Sequence, residues 1–158
     1  MAITDTSDDI VAVTTDLARQ YLARVTRGEF AWQAVGFSVG RGGYNPADPV
    51  KVLPILGSEI ALTDQVYPAP TGYAAFEMIE TPNPMAPVFD CRLASTLVAG
   101  PADYGLGEIA IWAKIVYVDP STVPPPLLND IFMLALGHMP IRAKTRRDVM
   151  LLRVAVQF

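Results

Sequence analysis

The stretch Glu108-Ile109-Ala110-Ile111-Trp112-Ala113-Lys114-Ile115-Val116-Tyr117-Val118 decides how this chain reads. Ile109, Ile111, Ala113, Ile115 and Tyr117 fall at every second position, so an extended backbone puts them on one face. The spacing predicts a β-strand with that face toward a core. Three other segments read the same way. In 88–98, Phe89, Cys91, Leu93, Ser95 and Leu97 share a face. Residues 131–136 are apolar on both faces, the pattern of a central strand. Leu152, Val154, Val156 and Phe158 alternate to the last residue, as an internal strand or as an edge open to another chain. Pro124-Pro125-Pro126 makes a stiff connection before the 131–136 segment.

Toward the N-terminus the same period continues in 30–39, through Phe30, Trp32, Val35, Phe37 and Val39. It runs into the loop signal Gly40-Arg41-Gly42-Gly43-Tyr44-Asn45-Pro46. Residues 50–56 and 59–62 are short apolar pieces. Five prolines between Tyr67 and Pro87 allow only brief strands, the best at 73–79. Residues 7–27 change period: Ile10, Val13, Leu17, Tyr21 and Val25 recur at helical spacing. Thr6 or Ser7 would cap this helix, Asp8 and Asp9 would sit at its positive end, Arg24 and Arg27 at its negative end, and Gly28 would stop it. The expected fold is α+β. A helical segment (1–28) precedes a β-rich unit (29–158), mainly antiparallel and sandwich-like with long Pro/Gly-rich loops, and the two form one folded unit.

The 158 residues suit one domain. At 51% hydrophobic and 18% charged, with mean hydropathy +0.30, the chain is no disordered tail. One cysteine excludes a disulfide scaffold and suits a reducing compartment. A net charge of −4 argues against general nucleic-acid binding. No run is long and apolar enough for a membrane span, and MAITDTSDDI lacks the features of a signal peptide. So many apolar residues with so little charge predict an oligomer or a component of an assembly.

Catalytic patterns are incomplete. Gly36-Phe37-Ser38-Val39-Gly40 matches a nucleophile elbow, and His138 follows in triad order, but the helix this motif requires cannot form across the Gly- and Pro-rich 41–49. Gly137–Thr145 ends in Lys144-Thr145 like a phosphate loop, but His138 and Ala143 stand where that pattern needs glycine. Cys91 and His138 fit apolar strands better than a reactive pair, and no spacing of ligands suggests a metal. No cofactor or metal is expected. Arg142, Lys144, Arg146, Arg147 and Arg153 hold five of the twelve basic residues, as a solvated loop or as a docking patch for an acidic protein surface.

The succession Gly105-Leu106-Gly107-Glu108-Ile109-Ala110-Ile111-Trp112, then Ile131-Phe132-Met133-Leu134-Ala135-Leu136-Gly137-His138-Met139-Pro140, then Lys144-Thr145, then a terminal alternating strand, resembles the N-terminal attachment domain of bacteriophage tail-fibre proteins. Val39-Gly40-Arg41-Gly42-Gly43 and the segment 62–68 extend the likeness over nearly the whole chain. In that family a long shaft and a receptor-binding tip follow. Here the sequence stops at Phe158, so the resemblance implies an attachment module that stands alone.

The expected function is therefore that of a structural virion protein, not an enzyme. It would join tail fibres to the baseplate by protein–protein contacts and be assembled in the cytoplasm of the bacterial host. Its expected partners are copies of itself or a trimeric tail-fibre protein, and baseplate proteins. Leu17, Tyr21, Trp32, Tyr44, Trp112, Arg146 and Arg147 are the candidate interface residues, because large apolar side chains and Arg anchor most interfaces. The alternatives are a small serine hydrolase using Ser38 and His138, and a head–tail joining or capsid-decoration protein.

Overall fold

A computed structural model of the chain describes residues 2–5, 10–45, 47–68, 72–76, 78–80, 87–93, 104–144 and 148–157. In chain order the elements are β1 (Ala2–Asp5), β2 (Ile10–Thr14), α1 (Asp16–Thr26), β3 (Phe30–Gly40), β4 (Tyr44–Asn45), β5 (Asp48–Val52), β6 (Gln65–Tyr67), β7 (Met78–Glu80), β8 (Val88–Leu93), β9 (Tyr104–Val118), β10 (Ile131–Lys144) and β11 (Asp148–Gln157). Nine strands form one sheet, in the order β6-β3-β9-β10-β2-β11-β8-β7, with β1 paired to β11. β4 and β5 form a separate two-stranded ribbon.

This corrects the α+β expectation. The chain is mostly β, and its only helix among the described residues is short and lies between two strands. The helix expected over 7–27 splits at Thr14. Ile10, Val11, Val13 and Thr14 are β-branched and favour a strand. Ile10, Ala12 and Thr14 are buried with period two. Ile10 and Val13 fit either period, and the sheet decides: β2 lies between β10 and β11. The cap is therefore Thr15, whose Oγ1 accepts the Ala18 N–H at 3.1 Å. The proposed caps Thr6 and Ser7, with Asp8 and Asp9, lie outside the described residues. Arg24 and the stop at Gly28 fall where expected, and Gly28 takes φ +79°.

The sandwich is corrected as well, because the layer is a single curled sheet, a half-barrel. Five inter-strand steps separate β3 from β8, which would set them about 24 Å apart in a flat sheet. Instead Phe76 stacks 6.3 Å from the Phe37 ring on β3 and 4.6 Å from the Phe89 ring on β8. The chain around Phe76 crosses the open side: Ala74 bridges to Phe37, and β7 pairs with β8. Most pairings are antiparallel, but β11 runs parallel to both β1 and β2.

The concave face holds the core. Phe37, Val39, Phe89, Cys91, Leu93, Ile109, Ile111, Ala113, Ile115, Leu134, Leu152, Val154 and Val156 are all buried there. The predicted faces of β8, β9 and β11 hold at every described position but one. An unmatched residue at Val116 breaks the register between β3 and β9, and Tyr117 turns out 51% exposed. β10 is central, as its two apolar faces require: Leu134 faces the main core, while Met133 and Leu136 join Ala110 on the convex side. Ile55 and Leu62, from the apolar pieces around 50–62, cover that second cluster. Leu62 does so from a loop, while Ile60 beside it stays exposed.

The helix packs on its own chain. Tyr21 meets Phe30 and Phe132 edge-on at 5.0 and 5.1 Å, and Leu17 and Val25 lie against the same core. Such edge-to-face pairs add roughly 0.5–1.5 kcal/mol each beyond the area they bury.

Candidate functional site

Three residues of the motifs that carry the resemblance, Gly107, Glu108 and His138, meet loop backbone where β9 pairs with β10. Glu108 on β9 is almost fully buried. Its carboxylate accepts three backbone N–H groups: Gly42 at 3.2 Å, Thr63 at 3.1 Å and Asp64 at 2.9 Å. Two loops, 41–43 and 61–64, are thereby tied to the sheet. The backbones come so close that a Cβ on Gly107 would overlap the Gly42 carbonyl oxygen. His138 on β10 binds the Leu53 carbonyl oxygen through Nδ1 at 2.7 Å. A carbonyl only accepts, so Nδ1 carries the proton.

The elbow serine is used structurally too. Ser38 is buried, and its Oγ accepts the Trp112 indole N–H at 2.7 Å. Ser38 pairs with Ala110, and His138 pairs with Glu108, on opposite sides of β9. Two strand spacings of about 4.8 Å each hold them beyond hydrogen-bond reach. Gly137 to Lys144 is strand, so the residues compared with a phosphate loop form no cradle of amides. Cys91 lies on β8, three strands from His138. Burial pushes its thiol far above the ordinary range, and the neighbouring Asp90 adds to the effect. Among the described residues no group of side chains could hold a metal ion, and no helix is long and apolar enough to cross a membrane.

The candidate interface residues do not form one surface. Leu17, Tyr21 and Trp32 pack on the core, and the rings of Tyr21 and Trp32 lie 5.1 and 5.4 Å from that of Phe132. Tyr44 lies against Gly107. Tyr44 also lines a cavity of about 470 Å³ with Arg41, Leu53 and Thr63. The Trp112 ring lines three adjoining cavities of about 300, 260 and 310 Å³ on the convex side, with Tyr73, Ile60, Ile131 and Leu62 among their walls. Leu17 borders one of these three. Arg146 and Arg147 lie outside the described residues. Of the other basic residues, Arg142 and Lys144 are in β10, and Arg153 on β11 sits 3.8 Å from the Asp90 carboxylate.

A different surface stands out, at the turn between β9 and β10. Val123, Leu127 and Leu128 are 85%, 75% and 57% exposed, and Ile131 beside them is also exposed. The backbone beneath them is firmly held. The Thr122 hydroxyl donates to the Glu29 carbonyl oxygen at 2.7 Å, and Asp119 N–H donates to the same oxygen at 2.9 Å. The Asp119 carboxylate accepts from the Ser121 hydroxyl and N–H, which lower its pKa. The Arg24 guanidinium donates to the Pro124 carbonyl oxygen. Asn129 takes φ +67° and returns its N–H to the Ile115 carbonyl oxygen at 2.8 Å. Apolar side chains are thus presented to solvent on an ordered support. In the sequence Pro124-Pro125-Pro126 reads as a connection only; the aliphatic residues flanking that run are the signal for this surface.

The convex side also holds a carboxylate whose charge does structural work. Glu59 accepts the N–H groups of Leu56 and Gly57, both at 2.7 Å, and Gly57 in turn accepts the Asp16 N–H at the start of α1. Burial opposes ionisation of Glu59, but the amides of Leu56, Glu59 itself and Gly57 outweigh it and leave the pKa below the ordinary 4.5. A lowered pKa stabilises the fold fully above the unfolded value, and the contribution is lost as pH falls through the folded value. Glu59→Gln should therefore be less stable than the native chain by about 1 kcal/mol at neutral pH. The difference should vanish as pH drops below 4.5. Urea titrations of both proteins across that range check this; a pH-independent difference contradicts it.

Comparison with known proteins found no family model, no curated protein and no solved structure that matches this chain.

Proposed function

We propose that this protein is a structural component of a bacteriophage tail, joining fibres to the baseplate through protein–protein contacts centred on the β9–β10 turn. The observation that carries this reading is the exposure of Val123, Leu127 and Leu128 on a turn fixed by hydrogen bonds from Asp119, Thr122 and Arg24. Pre-organised apolar groups lose little entropy on docking, and burying each gains roughly 1.5–3 kcal/mol before the costs of association. The surface continues past Ile131 into the cavities beside Trp112, where a partner side chain would seat. The resemblance to fibre attachment domains supports the tail assignment. Its motif residues Gly107, Glu108 and His138 all meet loop backbone, as suits a domain whose task is to present a shape.

The test is incorporation. Leu127→Ser with Leu128→Ser alters only exposed side chains, so the variant should fold with native stability. It should fail to enter tails when it is the only copy supplied to assembling particles. Normal incorporation would remove the turn from the interface. Recovery of the native chain in heads rather than tails would replace the baseplate role with a capsid one.

A further inference from the structure

We propose that two copies of this protein pair through the outer edge of β3, residues 30–35, joining their sheets by antiparallel strand addition. β3 is bonded to β9 along its whole length on one side. On the other side it meets β6 only at Val39 and Gly40, and Ala74 only at Phe37. Among the described residues, nothing pairs with the stretch Phe30-Ala31-Trp32-Gln33-Ala34-Val35 on that side. Six residues is the usual length of a strand in a sheet, so a full ladder of backbone donors and acceptors is on offer.

Edges of monomeric sheets are blunted by charge, proline, bulges or cover. This one has no charge and no proline. The break in register on β3 itself comes only at Val35, where the open stretch ends. From Phe30 to Ala34 the strand advances without an extra residue.

The occupant that fits is a second copy. Antiparallel pairing of one strand with itself is two-fold symmetric and closes as a dimer. It sets each residue opposite another from the same short set, so any charge would face a like charge. Here there is none, and the edge does not repel itself. Exposed Gln33 can exchange amide hydrogen bonds across such a pair. Tyr117, which is half exposed and paired with Ala31 on the neighbouring strand, lies beside the seam. This inference does not rest on the tail assignment, because the open edge is a property of the sheet alone.

Mass measurement by sedimentation or light scattering at micromolar concentrations tests it. The native chain should run at twice its 17.1 kDa. Two doubly substituted forms, Ala31→Lys with Gln33→Lys and Ala31→Glu with Gln33→Glu, set like charges across the seam in any antiparallel register. Each alone should run as one chain, and their mixture should return to the dimer. Far-ultraviolet circular dichroism confirms that they fold, and Gln33→Lys alone, at an exposed position, serves if a double form does not. For that variant the dimer dissociation constant should rise roughly two- to fivefold. A native chain that runs as a single copy or at any mass other than a dimer overturns the proposal. So does a folded lysine form that dimerises as the native chain does, or a mixture that does not pair.

Discussion

Glu108→Ala should cost about 3–5 kcal/mol of folding stability, which lowers the melting temperature by on the order of 10 °C. The carboxylate answers three N–H donors from two loops, and its removal strands all of them beside a buried wall. Each unsatisfied donor costs about 1–3 kcal/mol, less where water fills the vacated space. Glu108→Gln keeps one acceptor oxygen and should lose about half as much. Hydrogen exchange localises the effect: the amides of Gly42, Thr63 and Asp64 should lose protection while those of β11 keep theirs. A loss under about 1 kcal/mol would mean the loops are held by something else.

Phe37→Ala should be comparably damaging, at about 3–5 kcal/mol. Phe37 is fully buried, its ring lies 6.4 Å from that of Tyr67 and 6.3 Å from that of Phe76, and its backbone carries the bridge to Ala74. It is where the crossing segment fastens to one side of the half-barrel, so truncation leaves a cavity between β3 and β8. Phe37→Leu, which refills part of that space, should recover a substantial share. Denaturant titration gives the values; near-native stability for Phe37→Ala would show that the curl is held without the aromatic stack.

The strands of this fold were legible where both period and length were clear. The inward faces of β9 and β11 could be named at every described position except Tyr117, where the extra residue at Val116 shifts the face. The curl was not legible. It depends on β2 entering between β10 and β11, a pairing between the two ends of the chain that local periodicity does not record. The helix start was misplaced because Ile10, Val13 and Leu17 satisfy a helical stripe on paper, while β-branching and parallel pairing with β11 take Ile10–Thr14 into the sheet.

The candidate site was legible only in part. Glu108 stood out in the motif, but the amides it holds lie 44 to 66 residues away in sequence. Trp112 was singled out, and it does border open cavities. Leu17, Tyr21 and Trp32 were singled out for size, and all three pack, partly buried, against the core. Val123, Leu127 and Leu128 went unnoticed because exposure at a turn leaves no periodic trace.

In the tail role we propose, the apolar turn after β9 is covered by another polypeptide. Electron cryomicroscopy of intact particles, at a resolution that shows side chains, tests it most directly. Density for this chain is expected between baseplate and fibre, with Val123, Leu127 and Leu128 buried against a neighbour. Particles without the chain, or with those three residues facing solvent, would contradict it.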